Sequence, residues 1–276
     1  GTMSGYECKK IWKAKAVMGL LLINLIFCVV FWVQNRGVEK AKSTPALEEL
    51  YEQIGGEITG ENAEQIETLK NRLDNVFAIE GSVEEKYNKG KIDIEEYMKY
   101  RDEYHAMVNK ESAIEAVYEK YLVNRENGSW MIFDGYYNKL LQPDRIPWGL
   151  LLSVFLMALL LVYCENKELW SVIAVTRRGS RGVCREKIKT LVGFSTIFTI
   201  IFALEEGVIS ASFYSFRYLS APVQSVSCLA DVKISMSILA WFIFSLVLRI
   251  ILADVFSFIV FSILRILSHL QTGIQK

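Results

Sequence analysis

The sequence predicts an all-α membrane protein, with four transmembrane helices, part of a fifth, and an α-helical hairpin domain outside the membrane between the first and second spans. Three observations predict it. Of the 276 residues, 52% are hydrophobic and the mean hydropathy is +0.24, a value that ordinary soluble domains rarely reach. The 31 basic and 31 acidic side chains cancel, but they are segregated. Residues 35–146 hold 15 Lys/Arg against 23 Asp/Glu and are net −8, whereas the remaining 164 residues are net +8 and carry nearly all the long apolar runs. Finally, the acidic stretch contains helix start and stop signals and no cysteine, so it folds on its own helices without a disulfide.

The first apolar run, Ala16 to Val33, is long enough to cross about 30 Å of hydrocarbon at about 1.5 Å per residue. It exceeds a signal-peptide core and no A-x-A cleavage site follows, so it reads as a retained helix. Lys9, Lys10, Lys13 and Lys15 precede it and place the N-terminus in the cytoplasm by the positive-inside rule.

Within the acidic insert, Thr59 and Asn62 are candidate starts for a helix to about Ile79, with Glu61, Glu64 and Glu67 near its positive end. Asp93 reads as the cap of a long helix ending near Asn127-Gly128. Its apolar stripe runs through Ile94, Tyr97, Tyr104, Val108, Ile114, Tyr118 and Tyr121, with polar breaks at Arg101 and Glu111. The stripe asks for a partner, most simply the 61–79 helix. Residues 129–137 are rich in aromatic and β-forming types and read as a turn or small strand that packs Trp130 against the hairpin. A ligand platform of Trp130, Tyr136 and Tyr137 is the sharper reading, and packing or interfacial anchoring the ordinary one.

Pro143 and Pro147 mark the end of the insert, and Trp148 to Tyr163 is the second apolar run. The loop after it holds seven basic residues against Glu165, Glu168 and Glu186, which puts it inside. From about Asn166, Leu169, Val172, Ile173 and Thr176 share one helical face flanked by Trp170, followed by Arg177 and Arg178, with Gly179 as a stop. Such an amphipathic element suits a groove on a cytoplasmic subunit or, equally, a lipid surface.

A third run goes outward from Leu191 to about Phe213, interrupted by Glu205-Glu206. At the outer interface these carboxylates are solvated; at membrane depth one of them lines a substrate path or meets a cation from the fourth span. The last apolar region, from Ile234 to Leu267, measures about 51 Å as one helix, well beyond a bilayer core. Arg249 and Asp254 in its middle read as a bend at the inner surface in preference to a buried ion pair, followed by a second limb too short to cross.

The resulting map is 1–15 cytoplasmic, 16–34 first span, 35–146 extracytoplasmic helical domain, 147–164 second span and 165–189 cytoplasmic loop. Then come 190–213 as third span, 214–233 extracytoplasmic loop, 234–252 fourth span, and 253–276 as a partial fifth span and C-terminus. The protein is expected in the plasma membrane.

Several chemistries are excluded by pattern. The basic residues cluster beside apolar spans instead of forming a stripe with interleaved aromatics, so nucleic acid is not an expected partner. Cys8, Cys28, Cys164, Cys184 and Cys228 include no C-x-x-C, and His105 and His269 lie far apart, so no metal site is expected. No G-x-x-x-x-G-K-[ST], G-x-S-x-G or H-E-x-x-H occurs, so no ATPase or peptidase machinery is expected in this chain and work across the membrane needs energy from a partner.

The segment Glu165 to Lys187 resembles a pattern in permease subunits of bacterial ABC exporters of the Gram-positive type. Glu165, Thr176, Gly179 and Lys187 match it. Leu169 stands where glycine is usual, and Ser180 where arginine is expected, with Arg181 one place later. Gly90 to Tyr97 resembles the helix-start phrase of that family's extracellular domain, and Ser220 to Ser225 the stretch before its fourth span. The resemblance implies that this loop is a coupling helix contacting a separate ABC ATPase through Glu165, Leu169, Trp170, Ile173, Thr176, Arg177, Arg178, Gly179 and Arg181. It also implies ATP and Mg in that partner, no cofactor in this chain, and a second permease copy or paralogue beside it in the lipid. Such permeases have six spans, so this chain is expected to be a short member or a truncated one. A membrane sensor with an extracytoplasmic ligand-binding domain, or a structural scaffold, is the rival reading.

Overall fold

The computed structural model describes residues 16–42, 45–135, 137, 141, 146–163, 179–213 and 216–274. Among these the chain forms eight α-helices and no sheet: α1 Ala16–Lys42, α2 Pro45–Ile54, α3 Gly60–Asn88, α4 Ile94–Val108, α5 Glu111–Asn127, α6 Trp148–Tyr163, α7 Gly179–Phe213 and α8 Ile238–Ile274. They fall into two compact units. One comprises residues 1–37, 140–215 and 242–276, and the other residues 38–139 and 216–241. Three helices are long and apolar enough to cross a membrane, over Val17–Arg36, Gly182–Phe213 and Ile238–Leu270; α6, with 16 residues, is apolar but shorter.

In the polar unit the start signals act as the sequence indicates. The backbone N–H of Thr59 donates to Asn62 Oδ1 at 2.7 Å, and the N–H of Asn62 donates to Thr59 Oγ1 at 3.4 Å. This reciprocal cap satisfies two orphan donors at the head of α3. Asp93 accepts from the N–H of Glu96 at 2.7 Å and opens α4, and Gly128, at φ +63°, ends α5 in a left-handed turn that a side chain would strain.

The expected single helix over 93–127 is instead two helices, broken at Asn109-Lys110. Glu111, the second polar break in the stripe, is the first residue of α5. The partner helix is also longer than 61–79, running to Asn88. The break has a packing reason: each half lies back along α3, and α5 also meets α2. Tyr100 donates to the Val76 carbonyl at 2.9 Å and Tyr121 to Glu67 at 3.0 Å, pinning α4 and α5 to α3. The core is apolar, with Leu50, Ile54, Ile66, Leu73, Val117 and Met131 all buried.

The described residues of 129–137 form no strand. Met131 makes one antiparallel bridge with Gly56, through two 2.8 Å backbone hydrogen bonds. Trp130 packs edge-on against Tyr218, and its N–H donates to Ser225 Oγ at 2.8 Å. Its partner is thus the loop before α8, not the helical hairpin. Sequence order hid that neighbour, which lies about ninety residues away along the chain.

In the apolar unit, Leu150, Val154, Met157, Ala158 and Leu161 make a buried stripe along α6 at helical spacing. Gly149 permits a close approach: a Cβ there would lie 2.9 Å from the Phe202 ring and 3.0 Å from Phe27 Cβ. Phe27 and Phe202 meet edge to face at 4.8 Å, joining α1 to α7. Leu21, Leu25 and Val29 on α1, and Ile243, Val247 and Ile251 on α8, are exposed, which is the arrangement of helices that face lipid.

Two expectations change. α8 runs without interruption from Ile238 to Ile274, so there is no bend at Arg249 or Asp254. No proline lies in it and its only glycine is Gly273, so nothing in its interior breaks the helical ladder. α7 is already helical at Gly179, eleven residues before the expected third span, while the element that Gly179 was expected to end lies outside the described residues.

Candidate intramembrane polar site

An α-helix turns about 100° per residue, so the adjacent Glu205 and Glu206 leave α7 on different faces. Glu205 accepts both hydrogen bonds from Asn24 Nδ2 of α1, at 2.7 and 2.8 Å. Glu206 accepts from Arg249 Nη1 of α8 at 2.8 Å, and the two side chains are only 3% and 5% exposed. Arg249 lies eleven residues into α8, about 16 Å along it. Glu206 is therefore not a solvated interfacial carboxylate, and Arg249 is not a surface bend. Each charge is tolerated in this apolar unit because the other neutralises it.

Two further contacts define how α7 and α8 run. Thr196 Oγ1 donates to Asp254 at 3.3 and 3.4 Å, and Arg265 donates to Cys184 Sγ. As α7 numbers fall from 206 through 196 to 184, α8 numbers rise from 249 through 254 to 265, so the helices are antiparallel. Each charged residue from Glu205 to Phe213 on α7, and from Ile238 to Arg265 on α8, therefore has a polar partner. Lys187 is buried on α7 and donates to the Leu161 carbonyl at 2.6 Å. This contact ties α7 to α6 and gives the buried ammonium an acceptor.

No family model, curated protein or solved structure matches this chain.

The predicted coupling residues Glu165, Leu169, Trp170, Ile173, Thr176, Arg177 and Arg178 lie outside the described residues. Gly179 and Arg181 fall in the first turn of α7. Of the two pathway candidates, the fold brings Glu206 to Arg249 and Glu205 to Asn24, and it does not turn both carboxylates to one cavity. Asn24, Thr196, Asp254 and Lys187 are the additional polar partners. The available signal was an acidic pair in one apolar run and Arg249 with Asp254 in another, charges that in a membrane ask for partners.

The polar unit holds a second cluster. Lys120 Nζ donates to the Ile132 carbonyl at 2.7 Å and pairs with Asp134 at 3.1 Å, while the N–H of Ser227 donates to Asp134 at 2.6 Å. Burial alone would raise the Asp134 carboxyl, but the Lys120 ammonium and the Ser227 hydrogen bond hold it below the usual carboxylate range. Burial, with a smaller push from Asp134, raises the Tyr51 hydroxyl. Asp134 thus ties α5 to the segment before α8, a structural task. Tyr137 likewise donates to the Arg217 carbonyl, and burial lifts its pKa to about 12. Trp130 and Tyr137 are therefore packed and anchored here, while Tyr136 lies outside the described residues. An open groove of about 670 Å³ beside α2 and α3 is lined by Gln53, Ile54, Glu61, Glu64, Gln65, Thr68, Leu69 and Arg72.

Proposed function

We propose that the chain is the membrane-spanning permease subunit of an ABC exporter in the plasma membrane. Its N-terminus faces the cytoplasm, four helices span, and a separate ATPase docks at residues 166–178. One observation carries the mechanical side of this reading: α7 is a single helix from Gly179, at the edge of the coupling-like segment, to Glu205 and Glu206. A displacement at its first turn reaches the intramembrane charge pair without crossing a joint. ATP and Mg bind in the partner, and this chain contributes no hydrolysis. A second permease copy or paralogue completes the pathway. The net −8 of residues 35–146 favours cationic over anionic cargo at the outer face; peptides, lipids and antimicrobial compounds all remain within the class.

The open groove in the polar unit supports a second reading, a sensor whose extracytoplasmic domain binds a ligand. One experiment separates the two. The full chain is purified in mild detergent from its native membrane, with mass spectrometry of what accompanies it. The permease reading expects a stoichiometric ABC ATPase, lost on Arg177→Glu/Arg178→Glu substitution in a protein whose thermal unfolding is unchanged. A kinase in its place, or an ATPase indifferent to the charge reversal, overturns it.

A further inference from the structure

Most hydroxyl groups of α6, α7 and α8 bond within their own helix; the buried exceptions among the described residues are Thr190, Ser195, Ser210 and Ser245, of which the last two flank the ion pair. Ser153, Thr196, Thr199, Ser257 and Ser262 each donate to the carbonyl four residues earlier in their own helix, the usual outlet for a hydroxyl in an apolar setting. Ser210 and Ser245 do not. They are 1% and 2% exposed, and neither hydroxyl has a hydrogen-bond partner among the described residues. The second oxygen of Glu206, Oε1, is buried and unpartnered in the same way.

These three atoms share a neighbourhood. Ser210 follows Glu206 by four residues on α7, and Ser245 precedes Arg249 by four residues on α8. Because the helices are antiparallel, both hydroxyls lie one turn from the ion pair on the same side of it. A buried oxygen without a partner costs about 1–3 kcal/mol, and three such atoms around one ion pair point to something that satisfies them together. The charge balance says what. Arg249 already neutralises Glu206, so a cation finds no net negative charge and an anion none positive. The fitting ligand is neutral, small, and both donor and acceptor, which is water.

We propose that Glu206, Ser210 and Ser245 form an internal hydration site within the bilayer, where bound water bridges α7 to α8 beside the Arg249 ion pair. The inference rests on the α7–α8 geometry and not on the transport reading, so either can fail without the other. A water that donates to Glu206 and exchanges hydrogen bonds with both serines makes the two hydroxyls energetically interdependent.

The test is a double-mutant cycle on the full chain in lipid nanodiscs, read by thermal unfolding. The substitutions are Ser210→Ala, Ser245→Ala and both together, with Ser257→Ala as the reference for a hydroxyl already bonded within its helix. With shared water, each single substitution lowers the midpoint by more than Ser257→Ala, and the double lowers it by clearly less than the two singles added. If the hydroxyls are dry, alanine removes an unsatisfied group, and the midpoint stays or rises. That result, or strict additivity of the two losses, overturns the proposal.

Discussion

Replacing Glu206 with leucine would strand the Arg249 guanidinium in an apolar interior. The pair is 2.8 Å apart with side chains 3% and 5% exposed, so neither bulk solvent nor the bilayer surface is at hand, and a bridging water carries no charge to replace the lost carboxylate. Breaking a buried pair by removing one partner costs about 3–5 kcal/mol. The insertion cost of an arginine at the centre of a span, about 2.5–3.5 kcal/mol, falls close to the same range. Arg249→Met leaves the carboxylate behind and is expected to cost as much. The double substitution Glu206→Leu/Arg249→Met removes both charges and keeps the volume. It should therefore come within about 1 kcal/mol of the original chain or exceed it, since apolar replacement of a buried pair is often neutral or stabilising. Unfolding of the full chain in mixed micelles with rising dodecyl sulfate, followed by tryptophan fluorescence, measures all four proteins. A single variant within about 0.5 kcal/mol of the original, the size of an ordinary surface change, would refute the argument, as would a double no more stable than the worse single.

Three further outcomes follow from the described contacts. Asp134 has a depressed pKa, so its stabilising contribution is present above the unfolded value of about 3.9 and is lost as pH falls through the lower folded value. Asp134→Asn should be less stable at neutral pH, and in acid titrations of both proteins the difference should shrink below about pH 4. Gly149→Ala forces a Cβ against Phe202 and Phe27 and is expected to cost about 1–3 kcal/mol. Gly81→Ala, where a Cβ meets nothing inside α3, should raise stability by about 0.5–1 kcal/mol; equal effects in parallel melts would contradict the packing account. Thr59→Ala removes the cap of α3 at a cost of about 1 kcal/mol, visible as faster amide exchange confined to residues after Gly60.

Legibility in this chain depended on range. The caps at Thr59 and Asp93, the stop at Gly128 and the apolar runs are local features, in which a few neighbouring residues set the energy, and they were readable residue by residue. The α4–α5 break was half visible, since Glu111 already interrupted the stripe, but the packing of both halves on α3 and of α5 on α2 is not local in sequence. The partner of Trp130 could not be read at all, because Tyr218 and Ser225 are far away in sequence.

The charged residues of the last helix show the same division most clearly. Composition determines that Arg249, Asp254, Glu205 and Glu206 sit in apolar runs, that such charges need partners or water, and hence that several helices are long and apolar enough for a membrane. Whether an arginine ends a span or stays inside it is a difference between two desolvation terms, and that difference changes sign when a carboxylate on another helix comes within 2.8 Å. A linear sequence contains both residues but not the distance between them. The absence of proline and of interior glycine lets α8 continue straight through Arg249, but only the antiparallel packing of α7 beside α8 decided that Glu206 meets Arg249 inside.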